Sequence, residues 1–110
     1  MKKFEERGEE LKNLEYEGEK FTIIIPKKTS DLVREGNLLR HCVASYIERV
    51  ASGKTTVVFL REKNRINEPF YTIEVMGEEI VQVKGFANKN ANNDIKEFVS
   101  EWKKAKLEPR

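Results

Sequence analysis

Three strand-patterned segments follow one another with very little between them, and that spacing constrains the fold more than any other feature of the chain. Thr55–Arg61 is apolar on both faces, Val57 and Phe59 against Val58 and Leu60, which marks a strand inside a sheet. A loop at Asn64–Glu68 leads to Phe70–Met76, and a turn at Gly77-Glu78 leads to Ile80–Phe86. Strands joined by connections this short are antiparallel neighbours. Upstream, Phe21–Ile25 reads as a further strand, ended by Pro26, which has no amide hydrogen to give. A shorter strand precedes it across a turn at Gly18.

Helical periodicity fills the rest. Met1 to Asn13 carries only Phe4, Leu11 and Leu14 at helical spacing, a weak helix expected to fray or to pack on a neighbour outside the chain. Thr29-Ser30-Asp31 caps a short helix to Arg34, with Gly36 closing it. Asn37 caps a second, Leu38 to Ala51, closed by Ser52-Gly53; Leu39, Val43, Tyr46, Ile47 and Val50 form its apolar stripe. The last helix opens at Asp94 with Glu97 three residues on, a capping-box spacing, and buries Ile95, Phe98, Val99 and Trp102. The expectation is an α+β domain: an antiparallel sheet of three to five strands with helices packed on one face. At 110 residues the chain reads as one domain, since single domains run ~100–150 residues.

Composition narrows the function classes. With 38% hydrophobic residues the chain is too apolar to stay disordered. No apolar run approaches the ~18 residues of a spanning helix and no secretory leader is evident, so a soluble, cytoplasmic domain without a membrane partner is expected. The single cysteine excludes an internal disulfide, and one histidine beside one cysteine supplies too few soft ligands for a metal. Charge is uneven: residues 21–65 hold nine basic and four acidic side chains, a net +5 within a whole-chain +2. Such a segment suits either an ordinary solvated surface or a patch for phosphates, whose neutralisation releases counterions.

Two groups of residues could carry chemistry. On the second helix, at ~100° per residue, His41 falls about 200° from Leu39 and Cys42 about 300°, so the two point apart and a direct thiolate–imidazole pair is disfavoured. Cys42 lies near a helix N-terminus, where the dipole favours the thiolate; its alternative is a small buried hydrophobe. His41 reads either as an exposed or capping imidazole or as a proton-transfer group. In the sheet, pairing the apolar faces of the last two strands brings Thr72, Glu74, Gln82 and Lys84 together. Gly85 permits unusual backbone, and Asn88, Asn90, Asn92 and Asn93 crowd the loop before the last helix, where amides suit an anion or a base edge.

The run Gly36-Asn37-Leu38-Leu39-Arg40-His41-Cys42-Val43-Ala44-Ser45-Tyr46, with Gly53-Lys54, the strand Thr55–Arg61, Pro69–Val75 and Val81–Asn88, resembles the PcfJ-like family of bacterial and phage proteins. The likeness covers about residues 21–104. Ala44 stands where glycine is common, and Lys84 where arginine is common, which keeps the charge but not the bidentate geometry. The resemblance implies a plasmid- or phage-associated domain of no established reaction, and by position it singles out His41, Cys42, Ser45, Tyr46, Gln82, Lys84, Gly85 and Asn88.

Three functions compete. A mobile-element accessory domain would bind nucleic acid or a nucleoprotein partner through its basic and polar surface. A small enzyme would use His41 as acid or base and Cys42 as nucleophile, with Gln82 and Asn88 orienting a substrate and Lys84 balancing its charge. A protein adaptor would dock through a sheet edge or the N-terminal helix. No phosphate loop, nucleophile elbow or cofactor fingerprint appears, and the first reading leads.

Overall fold

The computed structural model describes residues 2–39 and 47–108. Five strands form one antiparallel sheet in sequence order: β1 (Tyr16–Glu17), β2 (Phe21–Ile24), β3 (Thr56–Glu62), β4 (Tyr71–Met76) and β5 (Glu79–Lys84). The three successive strands foreseen from loop length are β3, β4 and β5, paired antiparallel. Around the sheet lie α1 (Lys2–Glu10), α2 (Thr29–Leu39), α3 (Ile47–Ala51) and α4 (Asn93–Trp102). The α+β expectation holds.

The helices cover both faces of the sheet, because β3 is apolar on both. On one face Ile95, Phe98, Val99 and Trp102 of α4 pack on Val58, Leu60, Tyr71 and Ile73. On the other, Phe4 of α1, Leu32 of α2 and Val50 of α3 close over Val57 and Phe59. The helix layer expected on one face is thus joined by a second. Nor is α1 stray: Phe4 is 1% exposed and α1 packs against α3 within the chain.

Two caps differ from the sequence expectation. Gly36 does not end α2, which runs through it to Leu39 with Glu35 and Gly36 both buried; a glycine is tolerated inside a helix where packing outweighs its ~1 kcal/mol penalty. Asp31 caps α2 from inside its first turn, its carboxylate accepting from the Lys27 and Lys28 amides. In α4 the cap is Asn92, whose side chain accepts from the Ile95 amide at 3.0 Å. Asp94 then lies in the first turn, where its charge meets the positive end of the helix dipole. α3 closes as expected at Gly53, whose φ of +80° is costly for any residue with a Cβ.

Under α2 lies a buried ion pair with no local signal in the sequence. Arg61, 3% exposed, donates twice to Glu35, 0% exposed, at 2.5 and 2.7 Å. Its Nε reaches the Ile66 carbonyl at 3.1 Å, and the guanidinium sits 4.9 Å over the Phe59 ring. Burial pushes the Glu35 carboxyl up from its ordinary 4.5, against the hydrogen bonds and charge of Arg61, which hold it down. A raised native value means the folded state keeps this proton to higher pH than the unfolded chain. Its contribution to stability is therefore full below 4.5 and falls as pH rises through the native value. The unfolding free energy of wild type minus that of Glu35→Gln is expected to shrink as pH climbs from 4.5. Urea titrations across that range check it; a difference that grows with pH overturns it.

Candidate functional site

The polar quartet read from strand alternation is assembled as expected. Thr72 faces Lys84 and Glu74 faces Gln82 across β4 and β5. The register shifts by one residue between Glu74 and Val75, so Val81 bulges out of β5 and lies 52% exposed. Beyond β5, Lys84 makes an isolated antiparallel bridge to Asn90, and its Nζ donates to the Asn90 side-chain oxygen at 2.6 Å. One polar row therefore runs Thr72, Lys84, Asn90 across the sheet margin.

The inner members of the quartet are sealed. Glu74 is 7% exposed; its Oε2 accepts from the Thr55 hydroxyl at 2.7 Å and lies 3.7 Å from Arg49. Thr72 is buried too, and its hydroxyl has no hydrogen-bond partner among the described residues. Gln82 and Lys84 stand outward of these two, towards the open margin.

The far end of the site is fixed by Tyr71 and Gly85. The Tyr71 hydroxyl donates to the Asn90 carbonyl at 3.2 Å, and burial pushes its phenol up from the usual range. The Tyr71 ring occupies the space where a residue-85 Cβ would stand, 2.9 Å away. Gly85→Ala is accordingly expected to cost about 1–3 kcal/mol through overpacking against a ring that cannot retreat, measured by urea unfolding. A loss under about 0.5 kcal/mol, the ordinary scatter of surface changes, overturns that account. From Gly85 the chain enters a short turn, Phe86–Asn88, in which Ala87 and Asn88 take φ of 51° and 64°. Asparagine adopts this left-handed geometry more readily than most residues. The turn packs against α2.

A cleft of about 580 Å³ runs along the outer margin of β5 beneath α4. Val81, Val83, Ala91 and Val99 give it apolar walls; Gln82, Lys84, Asn90 and Lys96 give it polar ones. Among the described residues no carboxylate lines it. A second concavity, about 450 Å³ between α2 and β3, mixes Lys27 and Arg34 with Glu15 and Asp31, so its field is not of one sign.

Of the residues singled out from sequence, the structure brings Gln82 and Lys84 to one cleft and sets Gly85 beside it. Asn88 lies in the turn and does not line the cleft. His41, Cys42, Ser45 and Tyr46 lie outside the described residues. Sequence reasoning missed Lys96 and read Val99 only as part of the buried stripe of α4. The signal for Lys96 was position alone: it flanks that stripe, and nothing local says which strand that flank meets.

The basic middle segment is offset in part by acids. Arg61 is buried against Glu35, while Arg49, Lys63 and Arg65 lie within 3.6–3.7 Å of Glu74, Glu17 and Glu68. Arg34 is drawn to the Asn67 carbonyl at 2.9 Å. The two exposed pairs, Lys63–Glu17 and Arg65–Glu68, add little stability, but they cancel field. The segment's +5 is therefore offset in part: four of its basic side chains lie against acids, while Arg34 meets a neutral carbonyl.

A family model described as PcfJ-like protein matches residues 1–99. The chain belongs to this family. The match begins before the 21–104 stretch that carried the resemblance, in keeping with a PcfJ-like fold whose α1 supplies Phe4 to the core. An uncharacterised protein of Listeria innocua is 37% identical over 98 residues, covering 87% of this chain and 22% of the relative. The PcfJ-like chain thus spans about a fifth of the length of the relative it matches. No solved structure matches. Among the described residues no helix is long and apolar enough to cross a membrane.

Proposed function

We propose that this PcfJ-like domain is a cytoplasmic accessory module of a mobile element that binds nucleic acid, free or within a nucleoprotein complex, through the β5 cleft. One observation carries the reading: among the described residues, Lys84 and Lys96 line the cleft with two amides and no carboxylate, whereas four basic residues of the middle segment lie against acids. The partner of Lys84, Asn90, is a neutral amide and not an acid. An adaptor that adds a strand to β5 is disfavoured by the Val81 bulge and the Lys84–Asn90 bridge, devices that blunt an edge against pairing. Docking through α1 is disfavoured by the burial of Phe4. Fluorescence anisotropy with labelled oligonucleotides over a salt series tests the proposal. Binding at low salt that weakens as salt rises is expected; absent or salt-indifferent binding overturns it.

A second reading rests on Glu74 and Thr72, buried polar groups beside Gln82 and Lys84 of the kind active sites keep. In that reading His41 is acid or base and Cys42 a nucleophile. Strand cleavage by the wild type that His41→Ala abolishes without loss of affinity supports it; unchanged substrate after prolonged incubation removes it.

A further inference from the structure

We infer that the β5 cleft takes single-stranded nucleic acid, one or two nucleotides at a time, in preference to a duplex; this rests on the nucleic-acid reading above. The first argument is shape. Bases in a duplex are read by a helix or ribbon that protrudes into a groove ~6–12 Å wide, but the β5 margin is concave. Its 580 Å³ falls within the ~300–1,000 Å³ that encloses small ligands, which suits an unstacked nucleotide and not a double helix.

The second argument is chemistry. Val81, Val83 and Val99 offer an apolar wall for the face of a splayed base, which protein sites hold between apolar or aromatic side chains. Gln82 and Asn90 stand where amides can meet a base edge. Lys84 and Lys96 are left for the backbone. An ammonium is a point charge without the fixed fork of arginine, so it suits a phosphate in many orientations and reads sequence weakly. Two lysines also set a number: at ~0.7 counterions released per single-strand phosphate, log K should fall with log salt at a slope of about −1.4.

The test is anisotropy of the full chain with single-stranded DNA, single-stranded RNA and a duplex of one mixed sequence, across a salt series. The expected result is at least tenfold tighter binding to a single strand than to the duplex, with a slope near −1.4, falling to about −0.7 in Lys96→Gln. Lys96 is exposed on α4, so this variant is expected to fold, and circular dichroism confirms it; Lys84→Gln is the parallel variant. If no strand binds at low salt, the nucleic-acid reading itself fails. If the duplex binds as well or better, or if neither variant moves the slope, the single-strand inference fails while that reading stands. The DNA and RNA arms show which sugar the cleft accepts.

Discussion

Replacing Arg61 with methionine is expected to lower the unfolding free energy by about 3–5 kcal/mol, because it strands the Glu35 carboxylate in the core without its counter-charge. Both side chains are almost wholly buried, at 3% and 0% exposure, so water cannot replace the lost partner. Against a total of about 5–15 kcal/mol for a domain, the single variant sits near the edge of folding. Arg61→Met combined with Glu35→Met is expected to recover most of the loss, since replacing both charges of a buried pair by apolar groups is often neutral or better. Urea unfolding of wild type, single and double variants gives the answer. A single variant losing under 1 kcal/mol, or a double variant no better than the single, shows that the pair is not what fastens α2 to β3. The contact also bears on the proposed site, because α2 packs on the Phe86–Asn88 turn that follows the cleft strand.

What was legible in the chain was whatever local periodicity governs. The meander of β3, β4 and β5 follows from alternation and short loops alone. The meeting of Thr72 with Lys84 and Glu74 with Gln82 follows from which face must be apolar, and it survives the Val81 bulge because the shift falls just beyond the quartet. Illegible features are those that two distant segments make together. Glu35 and Arg61 are 26 residues apart, and either alone reads as a surface charge. Gly36 looked like a stop signal because a glycine near a helix end usually is one; the burial of Leu39 and of Glu35, the latter against Arg61 of β3, carries α2 past it. The +5 segment is offset in part for the same reason, since Glu17 and Glu74, which lie against Lys63 and Arg49, come from outside it. Lys96 joins Lys84 only because α4 lies along the β5 margin, and no pattern within α4 announces that.

Trp102 adds a polar tie to the apolar stripe that seats α4. Trp102 is 0% exposed, and its indole N–H donates to the Leu14 carbonyl at 2.8 Å, tying the last helix to the segment that leads into β1. Trp102→Ala is expected to cost about 3–5 kcal/mol, the range for emptying a large aromatic site that cannot collapse. Trp102→Phe separates the two roles of the residue. It keeps most of the apolar volume and leaves the Leu14 carbonyl without its donor, so about 1–3 kcal/mol is expected. As the chain holds one tryptophan, unfolding has to be followed by circular dichroism in place of fluorescence. Trp102→Phe should retain single-strand binding where it remains folded, since Lys96 and Val99 stay on their helix. If Trp102→Phe destabilised as much as Trp102→Ala, the hydrogen bond to Leu14, and not the filled volume, would be what seats α4 against the sheet.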